Sequence, residues 1–175
     1  MIPPWRLCPA AAGDAQALAR LDAEVFGSQA WSESLLAHAI AGSGRAGDGG
    51  PLTSVVLARD DSQILGYIVT SAIIPEGSVD SLAVAAHARR RGIGAALLDR
   101  GLADARARGV SEVYLEVRAG NTPAIGLYRS RGFTRFALRR NYYSHPREDA
   151  WCMRTRAGVG AIGAETIGEA RPTIS

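Results

Sequence analysis

The chain has 175 residues, 47% of them hydrophobic, with 20 arginines, no lysine, 17 acidic residues and a net charge of +3. That length and apolar content suit one domain with a buried core, and no apolar run approaches the roughly 20 residues of a membrane span. Cys8 and Cys152 stand far apart without metal-ligand spacing, and residues 1–5 lack the basic and apolar regions of a signal peptide; the expectation is a soluble, cytoplasmic, metal-free protein.

Trp5 to Cys8 reads as a first strand, and Asp14 can cap a helix whose apolar positions include Leu18, Leu21, Val25 and Phe26, ended by Gly27. A second helix starts after Trp31, with Ser32 as N-cap and Glu33 in the first turn. Residues 42–51 contain five glycines and read as a flexible loop. Two antiparallel strands follow at 52–59 and 63–74, joined by Asp60-Asp61-Ser62, and Pro75-Glu76-Gly77 turns the chain into a strand over 78–84. A helix runs from Gly94 to about Arg108, with Gly109 as its C′ residue. Residues 113–117 form the next strand. Asn121 or Thr122 caps a short helix through Tyr128 to Arg131, with Pro123 in its first turn. Residues 133–142 and 150–154 supply the closing strands. Residues 1–156 make one domain, and 157–175 read as a loosely attached tail.

The most informative stretch is Arg89-Arg90-Arg91-Gly92-Ile93-Gly94, set between a strand and a helix start. The first N–H groups of a helix have no intrahelical partner, and the helix dipole adds positive charge there. Gly92 and Gly94 let main chain approach an anion, and three arginines add full charges. Alone, such a hexapeptide is equally a glycine turn beside solvated arginines, and without lysine it is no Walker loop. The charge distribution favours the phosphate reading: residues 79–156 carry 15 arginines against 7 acidic residues, while residues 1–78 carry 4 against 8. A ligand with several phosphates accounts for that asymmetry. Nucleic acid is the rival, but neither a nucleic-acid motif nor a basic–aromatic stripe accompanies the charge.

Further residues stand at fixed distances from this turn: Leu115-Glu116-Val117-Arg118, Asn121, Leu127-Tyr128 and Gly132-Phe133. Together they resemble the acetyl-CoA-dependent N-acetyltransferases of the GNAT superfamily. Arg139-Arg140-Asn141-Tyr142-Tyr143, Glu148-Asp149-Ala150 and Met153 narrow the resemblance to the RimI-type enzymes, which acetylate the N-terminal alanine of a small-subunit ribosomal protein. It is strong from about 79 to 153, thinner before that and absent afterwards. It implies an α/β fold with a central, mostly antiparallel sheet, flanked by helices, in which the parallel strands 79–84 and 113–117 splay apart.

The resemblance also implies a site. The main chain of Leu82, Ala83 and Val84 would pair with the pantetheine arm of acetyl-CoA, and a backbone N–H at the end of that strand, that of Val84, would meet the oxyanion. Arg89, Arg90, Arg91, Gly92, Ile93, Gly94 and Ala95 would hold the pyrophosphate, and Asn121 would contact the cofactor. Glu116 would be the base and Tyr128 the acid, since transfer needs a neutral amine and a proton for the departing thiolate. Glu116 faces away from Leu115 and Val117, and its plain alternative is a surface carboxylate paired with Arg118. The alternative for Tyr128 is an aromatic packed on Phe133. Trp31, Tyr142 and Tyr143 would line the acceptor groove, Trp31 being equally a hydrophobic plug between two helices. The partner implied is a protein N-terminal peptide, that of a ribosomal protein, with no nucleic acid and no membrane; a monomer is the expectation. Two other readings stay open: a GNAT acting on lysine side chains, polyamines or small amines, and an acyl-CoA-binding sensor without turnover. Ala85-Ala86 and Gly120 depart from the family pattern.

Overall fold

Apolar residues at helical and alternating spacing sort the chain into helices and strands much as expected. In the structure, a computed structural model that describes residues 4–44 and 52–156, the elements run β1 (Arg6–Pro9), α1 (Ala15–Phe26), α2 (Glu33–Gly42), β2 (Leu52–Arg59), β3 (Ile64–Ile73), β4 (Glu76–Val84), α3 (Ile93–Ala107), β5 (Glu112–Arg118), α4 (Thr122–Arg129), β6 (Thr134–Ser144) and β7 (Arg147–Arg156). The remainder of the glycine-rich loop, 45–51, and the tail expected at 157–175 lie outside the described residues.

Local chemistry sets the helix ends. Ser32 Oγ accepts from Leu35 N–H at 3.2 Å, and Asn121 Oδ1 accepts from Ala124 N–H at 3.2 Å, each satisfying one orphan donor. Gly109 follows α3 with φ +91°, the left-handed conformation of a C′ residue. Asp14 corrects its expectation. Its side chain does not cap α1; Oδ2 turns back to accept from Ala11 N–H at 2.8 Å, and Oδ1 pairs with Arg59 of β2 at 3.3 Å. The turn expected at 75–77 falls one residue early, because Glu76 already pairs with Ile73.

The strands form one sheet in the order β1-β2-β3-β4-β5-β7-β6, antiparallel except for β4 beside β5. β3 shows how both faces are covered. Tyr67 bonds Asp22 of α1 on one face, while Ile68 and Thr70 lie against Gly101 of α3 on the other. A Cβ at Gly101 would stand 2.9 Å from Ile68 Cδ1, so glycine lets α3 settle close to the sheet. Leu97 and Leu98 of α3, Leu18 of α1 and Leu36 of α2 are fully buried, each worth about 1.5–3 kcal/mol of transfer free energy.

The parallel pair is short. Glu76, Gly77 and Ser78 align with Glu112, Val113 and Tyr114, and pairing stops there. One residue further, β4 carries a bulge: Thr70 faces Val79 and Val69 faces Ser81, leaving Asp80 as the extra residue. A bulge bends its strand and increases local twist. β4 stays on β3 up to Val84, and β5 stays on β7 up to Arg118. A V-shaped gap therefore opens between 79–84 and 115–118, closed at the Ser78–Tyr114 end.

Candidate active site

Backbone polarity along β4 defines one wall of the gap. Ala85 N–H donates to Leu65 O of β3 at 2.9 Å, and Ala83 O lies where a Cβ on Gly66 would meet it at 2.7 Å. Residues 83 and 85 thus turn their polar groups to β3. Along a strand these directions alternate, so Leu82 and Val84 present N–H and C=O to the gap. Of the three residues expected to pair with an extended ligand, Leu82 and Val84 turn their backbone to the gap and Ala83 does not. Arg89 Nε also donates to Val84 O at 3.3 Å, bracing the wall against the following loop.

That loop has the backbone form of an anion nest. Arg90 and Gly92 both have left-handed backbone, φ +63° and +76°, and such alternation turns successive N–H groups to one side. The first intrahelical bond of α3 is Ala96 N–H to Gly92 O at 3.0 Å, and no side chain caps the helix. The N–H groups of Ile93, Gly94 and Ala95 are therefore the orphan donors of this helix. Arg89, Arg90 and Arg91 are exposed. A Cβ on Gly92 would meet nothing within 4 Å, and one on Gly94 would stand 3.5 Å from Leu127 Cδ2 and 3.6 Å from Val84 Cγ2. Ile93 differs from its neighbours: its side chain is 1% exposed and anchors the loop in the core, leaving only its N–H for a ligand.

The other wall is β5. Glu116 is exposed, as the burial of Leu115 and Val117 requires. Its ion pair is with Arg139 of β6, at 3.3 Å, not with Arg118 as the plain alternative had it. Arg118 pairs instead with Glu148, at 3.0 Å. Tyr128, on α4, is buried at 7% exposure and packs edge-on to Phe133, ring centroids 5.7 Å apart. Burial, with a lesser effect of Tyr143, pushes its phenol up to about 12, so it is a neutral donor at any working pH. Asn121, with Oδ1 committed to the α4 cap, retains its NH₂ group for another partner.

The β6–β7 hairpin is fastened to the end of β5 by residues that the resemblance placed in a pattern without a role. Between Arg139, paired with Ala150, and Tyr143, paired with Glu148, β6 has three residues where β7 has one. Asp149 fills the bulge by accepting from Asn141 N–H at 2.7 Å, and Asn141 has φ +52°. Glu148 accepts from Gly120 N–H at 2.7 Å and from Arg118, and these donors hold its carboxyl below the usual carboxylate range. Gly120 thus finds a reason, since a Cβ there would sit 2.8 Å from Glu148 Oε1. Tyr142 is exposed and Tyr143 half-buried, their rings edge to face at 5.0 Å. Burial raises the Tyr143 phenol to about 12.

Trp31 is half-buried against the core, and its backbone N–H donates to Asp22 Oδ2 at 2.6 Å. Asp22 is fully buried and also accepts from Tyr67; burial raises its carboxyl, the two hydrogen bonds opposing the shift. Nothing in the spacing of Asp22, Trp31 and Tyr67 announces this network, which depends on α1 crossing β3. A separate cavity, lined by Pro9, Ile40, Ser54 and Arg108 among others, lies at the far end of the 15-residue α3, about 20 Å from Gly92 at 1.5 Å per residue. None of the candidate residues lines it.

Comparison with known proteins agrees with this fold. Residues 16–133 match the model of the acetyltransferase (GNAT) family. An N-alpha-acetyltransferase RimI of Mycobacterium tuberculosis is 38% identical over 150 residues, 83% of this chain and 88% of that protein. The ribosomal protein bS18-alanine N-acetyltransferase of Escherichia coli is 38% identical over 95 residues, 53% of this chain and 64% of that enzyme, so this match spans less than two thirds of its length. The crystal structure of the Escherichia coli ribosomal-protein-S18-alanine N-acetyltransferase superposes with a TM-score of 0.73 at 27% identity, covering 94% of this chain and 99% of the other. The chain belongs to the acetyltransferase (GNAT) family.

Proposed function

We propose that this protein transfers an acetyl group from acetyl-CoA to the α-amino group of a protein N-terminus, and that its acceptor begins with alanine, as in a small-subunit ribosomal protein. The observation that carries the reading is the gap between β4 and β5, open beyond the Ser78–Tyr114 pair and headed by the arginine-flanked start of α3. The N–H groups at 93–95, with the three arginines, bind the pyrophosphate. The pantetheine arm lies along Leu82 and Val84 like an added strand, and Asn121 donates to it. The N-alpha-acetyltransferase relatives support an α-amine as acceptor.

The chemistry follows from the amine. An α-amino group has a pKa of about 7.7–8.0 against about 10.4 for lysine, so it yields its proton far more readily near pH 7. The neutral nitrogen attacks the thioester carbon, and Glu116, directly or through a water, is the base that takes a proton from that nitrogen on the way from ammonium to amide. A backbone N–H on the gap side of β4 meets the oxyanion. The C–S bond breaks as the intermediate collapses, and Tyr128 gives its proton to the leaving sulfur. Trp31, Tyr142 and Tyr143 border the acceptor. The test is mass spectrometry of a panel of N-terminal peptides incubated with acetyl-CoA and enzyme. Acetylation of Ala-initiated peptides at the α-nitrogen is expected; acetylation confined to spermidine or internal lysine would overturn the α-amine reading, and absence of turnover with intact acetyl-CoA binding would leave a sensor.

A further inference from the structure

Acetylation of an ammonium removes two protons from one nitrogen: one before attack, to free the lone pair, and one after it, as the NH₂⁺ centre becomes an amide. One carboxylate can take both only by discharging to solvent in between. The structure sets a second carboxylate on the facing arm of the gap. Ser78 and Tyr114 are the last aligned pair of β4 and β5, and two residues beyond them stand Asp80 and Glu116, one on each arm of the V. Glu116 shares its face of β5 with Tyr114. The Asp80 carboxylate accepts from Ser78 Oγ, and Ser78 Oγ lies 3.0 Å from Ser71 Oγ of β3, which keeps it on that same face. The thioester ends the pantetheine arm, so an arm entering from the α3 end carries it towards the closed end of the gap, where both carboxylates are.

Resting on the acetyl-transfer reading above, we infer that Asp80 takes the first proton from the acceptor ammonium and that Glu116 takes the second. Ser78 and Asp80 stand two apart on β4 and so share a face, and Asp80, the extra residue of the bulge, has no partner on β3 in the register. Among the described residues Glu116 has Arg139 as an ion-pair partner and Glu112 has Arg154, whereas Asp80 is held by hydroxyls alone. Asp80 is exposed by surface area, yet protein atoms crowd its carboxyl; that desolvation raises its pKa and outweighs the hydrogen bonds from Ser78 and Ser71. The other titratable groups facing this end are Glu76 on β4, Glu112 and Tyr114 on β5, and the Asp22–Tyr67 pair behind Ser81. Ser78 and Ser71 serve the carboxylate as donors and the carboxylic acid as acceptors, since a hydroxyl does both.

The step balances. R–NH₃⁺ gives one proton to Asp80; the lone pair forms the N–C bond while the carbonyl pair moves to oxygen; Glu116 takes the second proton. The C–S bond then breaks, the sulfur leaves with its electron pair and takes the Tyr128 proton. Of the two protons on the carboxyl groups, one returns to Tyr128 and the other goes to solvent.

The experiment is kcat/KM of Asp80→Asn against pH, with acetyl-CoA affinity measured by calorimetry. At pH 6.5 a loss of about 10²-fold is expected, with acetyl-CoA affinity unchanged. By pH 9 the loss shrinks about thirtyfold, because an amine of pKa about 8 then arrives neutral; Glu116→Gln keeps its loss throughout. A wild-type rate at pH 6.5, or a loss that does not vary with pH, overturns the inference. Ser78→Ala decides independently of how Asp80→Asn folds: losing a donor to the carboxylate moves the acid limb of kcat/KM to higher pH, and an unmoved limb overturns it. If the enzyme prefers spermidine or lysine, the α-amine reading fails, yet the same series run with that amine still tests Asp80, for every primary ammonium must lose two protons.

Discussion

The guanidinium carbon of Arg118 lies 4.1 Å from the centroid of the Tyr143 ring. The same guanidinium donates to Glu148 and to the carbonyls of His145 and Pro146, so one side chain holds the hairpin tip against the end of β5. Arg118→Lys keeps a charge but loses the planar fork that serves ring, carboxylate and carbonyls together. We expect it to cost about 1–2 kcal/mol of stability and to raise the peptide KM about tenfold, with acetyl-CoA affinity unchanged. Urea unfolding and steady-state kinetics check this; an unchanged KM would separate the hairpin from the acceptor.

Gly94 separates fold from ligand. The surroundings accept a Cβ at ordinary contact distance, and alanine within a helix is favoured over glycine by about 0.5–1 kcal/mol. Gly94→Ala should therefore unfold at the same temperature or higher. Acetyl-CoA should bind at least about tenfold more weakly, because the new methyl group stands in the mouth of the gap between Val84 and Leu127. Calorimetry with acetyl-CoA, beside a thermal melt, reads both halves. Gly92→Ala cannot serve, since φ +76° strains any side chain there.

Glu116→Gln and Tyr128→Phe should each lower kcat by roughly 10²–10⁴-fold, the range of general acid–base catalysis. Neither should alter acetyl-CoA affinity much, as neither belongs to the loop and helix start at 89–95. Near-normal kcat in both variants would move the chemistry elsewhere.

Alkaline unfolding tests the buried phenol. Tyr128 is raised from 10.0 to about 12 by burial, so above pH 10 the unfolded chain ionises first. Its contribution to stability is whole below pH 10 and is lost as pH rises through 12. For this nearly buried group the total is about 2–3 kcal/mol, of which about 1 kcal/mol is gone by pH 11. Urea unfolding at pH 8 and pH 11 should show Tyr128→Phe losing less than wild type. Equal losses would mean that the phenol is not desolvated.

Much of this was legible in the amino-acid sequence, for reasons that are local. Helix caps such as Ser32 and Asn121, the left-handed glycines at 92 and 109, and the alternation around Glu116 are set by residues within four positions of one another. The arginine-flanked helix start is local too, because a strand, a glycine turn and apolar residues at helical spacing are contiguous. Tertiary structure decided everything that depends on register between distant strands. Arg139 rather than Arg118 reaches Glu116 because β6 and β5 share β7 as a neighbour. Asp14 leaves its cap because α1 starts beside Arg59 of β2. Leu82 and Val84, but not Ala83, face the gap because β4 pairs with β3 in one register and not its neighbour. Asp80 stands across from Glu116 because Ser78 aligns with Tyr114, and it lacks a β3 partner because of a bulge, which is a miscount between two strands. A single strand's residues do not encode it, since one inserted residue reverses every side chain beyond it only relative to a partner that lies elsewhere in the chain.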